Sequence, residues 1–357
     1  MKKIEDIFDK VSSYNNLWYS FRKVNRGKNK LSKDSKVFCL NLADNFFALL
    51  DDLKNENTKP TRYYEFTITK PKERLIYAPD FESKIIQIAI NNILMPELEK
   101  VMIKDSYASI SGRGFHKAAD KIQHNMRCAK RKWGNSTYTV KLDIKKFFYN
   151  IDREILKEIF KKFIGEEKML NLLYKITDSA SVMGEKGLPL GNTVSQLSAN
   201  LYLNEFDHFI KRHFGIRYYV RYMDDIIIQV ESKEKAKEVV KEAERFLNER
   251  LNLELNKNKT KVQPIKDCVN AVGYKIWTTH KKIRLSSIQT FRKIIAEEDD
   301  LYVFENRIAS CLGSLTKASH YNLILDITSN IKGDKRRIVE DVYFKITGLS
   351  LYDFTLM

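Results

Sequence analysis

The stretch that decides the fold is Arg221-Tyr222-Met223-Asp224-Asp225-Ile226-Ile227-Ile228. Two adjacent aspartates interrupt two runs of β-forming residues. Neighbouring side chains of a strand point to opposite faces, so an Asp-Asp pair inside a strand would bury a charge. At a hairpin turn both carboxylates can approach one site and bind a hard cation. An ordinary aspartate-rich turn has the same local pattern. Upstream, Tyr138-Thr139-Val140-Lys141-Leu142-Asp143-Ile144 is a second β run that ends near a carboxylate. A strand-end Asp near a hairpin Asp pair gives three carboxylates around one space. Mg²⁺ takes oxygen ligands and keeps waters and substrate phosphates in its shell. Two such ions can clamp the attacking and leaving oxygens of an in-line phosphoryl displacement. Taken alone, Asp143 reads equally as a helix cap or an ion-pair partner.

Working outward, Arg217–Arg221 and Ile226–Val230 read as the two strands of the hairpin. Tyr63–Thr69 and Arg74–Tyr77 read as a second hairpin, with Lys70-Pro71-Lys72-Glu73 at its tip. Asp80 is placed to cap a helix containing Ile85, Ile86, Ile88, Ala89, Ile90 and Ile93. Helices are expected at 115–132, from about Asp152, at about Thr193–His213 and at about Glu234–Arg250. Short strands are expected near Lys261–Val262 and Ala271–Trp277, and mainly helix beyond Ser286. This order predicts an α+β fold with a helical C-terminal piece, not a doubly wound α/β fold. The expected organisation is a helical, basic extension over 1–58, a central region over 59–285 and a helical region over 286–357.

Charge narrows the function. The 357 residues carry 63 Lys+Arg against 46 Asp+Glu, a net +17. That surplus predicts a polyanionic partner, nucleic acid rather than membrane. A hydrophobic share of 43% with 31% charged residues excludes a disordered tail. No apolar run is long enough to span a bilayer, and the first residues lack the apolar region of a signal peptide. Four cysteines stand far apart without a CxxC pair, so no zinc site or disulfide framework is expected, and the reducing cytoplasm is the expected compartment. Gly112-Arg113-Gly114 is not a dinucleotide fingerprint, because it does not join a strand to a helix in a βαβ unit. The histidines show no metal-ligand spacing.

Five motifs in order carry a resemblance. They are Asp143-Ile144-Lys145-Lys146-Phe147-Phe148, Gly187-Leu188-Pro189-Leu190-Gly191-Asn192-Thr193-Val194-Ser195-Gln196, Tyr222-Met223-Asp224-Asp225, Leu255-Asn256-Lys257-Asn258-Lys259-Thr260 and Ala271-Val272-Gly273-Tyr274. Together they resemble the motifs of reverse transcriptases, densely over about residues 60–285. The Gly112–Ala118 and Gly273–His280 stretches look closest to bacterial enzymes of diversity-generating retroelements. Defence-associated and group II intron-like reverse transcriptases share much of the pattern.

The resemblance implies a right-hand polymerase with fingers, an antiparallel palm sheet and a helical thumb. It implies that Asp143, Asp224, Asp225 and the Ile144 carbonyl hold two Mg²⁺ ions, with Mn²⁺ as a substitute. Lys259 is the implied proton donor to pyrophosphate. Arg74, Lys70 and Lys72 are implied triphosphate contacts, since Arg suits bidentate phosphate binding and Lys supplies a mobile charge. Phe148 is the implied gate against the ribonucleotide 2′-hydroxyl, with Phe147 beside it a core residue. Gly191 and Gln196 are implied at the nucleotide, Gly273 and Tyr274 at the primer, and Arg113, His116 and Lys117 at the template RNA. Leu190 stands where many relatives of this kind carry Gln, which predicts lower fidelity.

The implied activity is RNA-directed DNA synthesis from a structured noncoding RNA, using dNTPs and yielding cDNA. A small accessory protein or a second copy of the chain is the implied partner. A defence enzyme and a non-catalytic RNA-binding scaffold are the competing readings. Three carboxylates that repel RNA disfavour the scaffold.

Overall fold

The computed structural model describes residues 3–27, 30, 32–69, 73–180 and 184–351. They form two compact units. The first takes in Met1–Ser111, Leu142–Gly215 and Val239–Thr260, and the second Gly112–Lys141, Ile216–Glu238 and Lys261–Met357.

In the first unit, β1 (Tyr63–Ile68) and β2 (Arg74–Pro79) pair antiparallel, from Tyr63 opposite Pro79 to Ile68 opposite Arg74. The expected tip residues Lys70 and Lys72 lie outside the described residues. The helix Phe81–Glu99 follows at once. Asp80 caps it as expected, accepting from the Ser83 amide at 3.0 Å. The same carboxylate accepts the Arg62 amide at 3.0 Å, so one side chain ties the hairpin to the helix. Such a cap contributes about 1 kcal/mol. Ile85, Ala89, Ile90 and Leu94 are fully buried along the helix, and Phe81 joins a cluster of rings with Phe21 and Phe38.

Asp152 caps the helix Arg153–Phe163, and Asn192 caps Thr193–Tyr202. The single helix expected over Thr193–His213 is three pieces: Thr193–Tyr202, Asn204–His208 and a π-helical turn at Phe209–His213. The wide turn brings the Phe209 and His213 rings into a stack, 5.2 Å apart and 15° from parallel. The apolar period of the sequence runs through all three pieces and does not mark the change.

The second unit is built on strands. β3 (Tyr138–Asp143), β4 (Tyr218–Tyr222), β5 (Asp225–Val230) and β6 (Lys261–Pro264) form one sheet in the order β4-β5-β3-β6, with the end of β3 passing into the first unit. β4 pairs antiparallel with β5, and β3 with β6. The helix Phe115–Trp133 covers this sheet with Ala118, Ile122, Met126 and Ala129, all fully buried. A smaller antiparallel sheet holds β7 (Val269–Ala271), β8 (Tyr274–Ile276) and β9 (Lys281–Ile283). The strand-like pieces expected near Ala271–Trp277 form a hairpin, β7 with β8. It turns at Val272-Gly273, where both residues take positive φ, 43° and 88°. Two such residues make the mirror-image turn that suits two-residue hairpins. Four helices, Leu285–Glu297, Leu301–Leu315, Tyr321–Thr328 and Gly333–Thr347, follow as expected. Among the described residues, no helix is long and apolar enough to cross a membrane.

Candidate functional site

In the first unit the structure gathers three of the motifs. Asp143 ends β3 with only 6% of its surface exposed. The stretch Leu255–Thr260 is stitched beside it. The Asn256 amide donates to the Asp143 carbonyl at 2.7 Å, and the Lys145 amide to the Glu254 carbonyl at 2.9 Å. Ile144, itself buried, bridges Leu255. The Lys259 and Thr260 amides then close a turn on the Asn256 carbonyl. That turn delivers the Lys259 ammonium to both Asp143 oxygens, at 3.3 and 3.2 Å. A half-exposed lysine thus meets a buried carboxylate.

Three residues past Asp143, Lys146 takes a left-handed φ of 46° and starts the one-turn helix Phe147–Asn150. Phe147 is buried at 2% exposure, while Phe148 is only half-buried. The loop Gly187–Gly191 is bound on both sides. The Leu188 amide donates to the Phe148 carbonyl at 2.7 Å, and the Tyr77 amide of β2 donates to the Leu190 carbonyl at 3.0 Å. Gly187 has φ 98°, and a Cβ there would come within 3.0 Å of the Tyr149 carbonyl, so only glycine lets the loop lie this close. The contacts bring Phe148, Leu190 and Gly191 together with the hairpin that carries Arg74. Arg74 is exposed at the start of β2. Gln196 is exposed and accepts from the Ser109 hydroxyl at 2.9 Å.

Two residues to which the motifs assign no role hold this arrangement. Arg153 is buried and donates to the carbonyls of Ala180 and Gly187, both at 3.3 Å, and of Gly184. Asn192 caps its helix and donates to the Tyr63 hydroxyl at 3.2 Å, joining the loop to β1. Burial of Tyr63 pushes its phenol above the usual range. Either residue reads in sequence as an ordinary surface Arg or cap, and its partners are remote along the chain.

In the second unit the aspartate pair divides. Asp225 is the first residue of β5, opposite Tyr222, and the turn is Met223-Asp224. The expectation that both aspartates occupy the turn is corrected to this extent. Met223 takes φ 52°, uncommon for a non-glycine residue. Lys141 of β3 meets Asp225 at 2.9 Å and donates to the Asn270 carbonyl of β7 at 2.7 Å. One ammonium therefore joins the Asp225 strand to the hairpin that carries Gly273 and Tyr274.

Tyr274 itself is turned inward, with 2% of its surface exposed. Its hydroxyl donates to the Ser314 carbonyl at 3.2 Å and lies 2.6 Å from His116 Nδ1. Since that hydroxyl proton is committed to Ser314, Nδ1 of His116 carries the proton between them. Burial pushes the Tyr274 phenol up to about 12. Burial and the nearby Lys317 and Lys281 hold the His116 imidazole below its ordinary range. Lys117 donates to the Gly112 carbonyl, and Arg113 is half-buried. The ring of His116 thus serves the fold, and Arg113 and Lys117 flank it at the start of the helix.

Asp143 in the first unit and Asp224 and Asp225 in the second each offer carboxylate oxygens, the donor type that hard cations take. In the structure lysines face two of them, Lys259 at Asp143 and Lys141 at Asp225. Among the described residues, no group of three or more His, Cys, Asp or Glu side chains is arranged to hold a metal ion.

Comparison with known proteins fits these motifs. The group II intron-encoded protein LtrA of Lactococcus lactis is 25% identical over 299 residues, covering 64% of this chain and 49% of LtrA. Protein YkfC of Escherichia coli is 22% identical, covering 66% of this chain and 72% of YkfC. The chain thus spans about half the length of the LtrA it matches. Apo telomerase from Candida tropicalis superposes with a TM-score of 0.50 at 13% identity, covering 81% of this chain and 64% of that one. That likeness supports the mixed polymerase fold with antiparallel sheets and helices. The model of the family "Reverse transcriptase (RNA-dependent DNA polymerase)" matches residues 58–276. That span covers more than half of the chain and all five motifs, so the protein belongs to the reverse transcriptase family.

Proposed function

We propose that the protein is an RNA-directed DNA polymerase that copies a structured noncoding RNA into cDNA by nucleotidyl transfer from dNTPs. The observation that carries the reading is the Asp143–Lys259 pair, in which a buried motif carboxylate meets the motif lysine across a turn built for that contact. Asp143, Asp224, Asp225 and the Ile144 carbonyl are the ligands for two Mg²⁺ ions, which Mn²⁺ can replace. When bound, the ions supply Lewis acidity at the primer 3′-hydroxyl and charge neutralisation at the leaving pyrophosphate. Lys259, paired with Asp143, is the proton donor to pyrophosphate. Arg74 receives the triphosphate, and Phe148 meets the sugar. Gly273 shapes the turn at the primer, and Tyr274 holds that turn from inside.

In this reading the fingers and palm occupy residues 59–285, after an N-terminal extension over 1–58 and before a thumb over 286–357. The enzyme works in the cytoplasm with its RNA and with a small accessory protein or a second copy of itself. Leu190 favours error-prone copying in a diversity-generating retroelement, because an apolar side chain offers the nascent pair no polar contact.

Primer extension on an RNA template with dNTPs and Mg²⁺ tests the activity. The wild type extends the primer. Asp224→Ala with Asp225→Ala abolishes extension while the protein still melts cooperatively. Extension by that folded double variant would sink the assignment. For the finer reading, Leu190→Gln lowers misincorporation opposite template adenine, and an unchanged error rate there refutes it.

A further inference from the structure

We infer that a cleft in the first unit, formed at the π-helical turn Phe209–His213, is a nucleotide-binding site separate from the polymerase motifs. The cleft has a volume of about 730 Å³. That lies within the range of small-molecule sites. None of the residues lining it belongs to the five motifs.

One wall is aromatic. The Phe209 and Phe246 rings stack at 4.5 Å and 22°, and Phe209 stacks on His213 at 5.2 Å and 15°. The π-helical turn makes the second stack by setting His213 over Phe209. Here the turn ends the helix Asn204–His208, and π-helical turns are frequent at functional sites. Phe209 and Phe246 are half-buried, and His213 is exposed at the end of the stack. An exposed planar ring ending a stack is a platform for a base.

The rim is cationic. Lys100, Lys162, Arg212 and Arg250 line the cleft, against the one carboxylate of Glu205. Lys162 is paired with Glu205, and Lys100 with Glu97 at 2.5 Å. Arg212 and Arg250 are exposed and make no ion pair or hydrogen bond among the described residues. Guanidinium groups suit phosphate oxygens, which they bind in bidentate fashion.

Rings for a base and guanidinium groups for a phosphate together specify a nucleotide. An acidic peptide would answer the arginines alone. The nucleotide is either free or part of an RNA strand, and the chemistry of the cleft is the same for both.

The test uses the full chain, with adenosine monophosphate, ribose phosphate and a short single-stranded RNA bearing a photoreactive base. Adenosine monophosphate should bind ~10-fold more tightly than ribose phosphate, because the base adds stacking. Binding at the cleft by the mononucleotide alone identifies a free-nucleotide site. Cross-links to Phe209, His213 or Phe246 from the RNA alone identify a site for a strand nucleotide. In either case Arg212→Glu with Arg250→Glu should weaken binding ~10-fold with an unchanged melting midpoint, since both side chains are exposed. Binding that ignores the charge reversal overturns the proposal, as do equal affinities for the two small ligands without RNA cross-links in the cleft.

Discussion

At the scale of single residues, Phe147 and Phe148 show how neighbours of one type take different roles. Phe147 is buried and Phe148 half-buried, because left-handed Lys146 turns the chain just before them. Composition cannot tell the two rings apart, and their separation in sequence terms came from the resemblance. The ring of Phe148 lies on the turn whose carbonyl anchors the Leu188 amide, so its position is fixed from both sides. Phe148→Ala should therefore open space beneath the sugar. Ribonucleotide incorporation relative to dNTPs should rise at least ~10-fold, the scale on which pocket contacts discriminate between close analogues. Steady-state incorporation of matched dNTP and rNTP pairs checks it, and unchanged selectivity rules out the gate. Phe147→Ala is instead a core lesion and should cost about 3–5 kcal/mol of stability, read from denaturant unfolding. Tyr274 was harder to read. Its motif points to the primer, but its ring is locked inward between His116 and Ser314, which lie far from it in sequence.

At the scale of elements, caps and strong strands were legible because their signals are local. Asp80, read as a cap, sits one residue before its helix and accepts a free amide, as Asp152 and Asn192, read only as helix starts, also do. The β4–β5 hairpin follows from two β-forming runs around Met223-Asp224. What was not legible depends on remote partners or on conformations that these residue types avoid. Val272 at positive φ carries no turn signal, since β-branched residues disfavour it. The strand β9 is only three residues long and gains its pairing from β8. Lys141 was missed for the same reason. It reads as a polar position in a β run, yet its ammonium joins β5 to β7 through Asp225 and the Asn270 carbonyl. Its side chain is 15% exposed and that of Asp225 25%, so the pair is screened less than a surface ion pair. Lys141→Met should cost about 1–3 kcal/mol, the penalty for leaving a mostly buried charged partner unsatisfied. A double-mutant cycle with Asp225→Asn, measured by denaturant unfolding, should return a coupling of about 1 kcal/mol. Strictly additive effects would show that the contact does not hold the two strands.

At the scale of the whole molecule, the surplus of 17 positive charges and the three motif carboxylates make opposite demands. A polyanion is drawn to the surplus and repelled by the carboxylates. Two of those carboxylates stand against lysines, Asp143 against Lys259 and Asp225 against Lys141, which limits the repulsion. If the surplus exists to bind nucleic acid, binding must release counterions. A contact with about 6 phosphates gives a log–log salt slope of about −5 for a duplex, and affinity should fall about 10³-fold between 50 and 200 mM salt. Filter binding of an RNA–DNA duplex across that salt range measures the slope. Magnesium should be held constant, because it competes for the same phosphates. A slope near zero would mean that the positive surplus serves solubility and that the duplex is held by uncharged contacts. A steep slope unchanged in Asp224→Asn with Asp225→Asn would place the attraction in the lysines and arginines and leave the carboxylates to the chemistry.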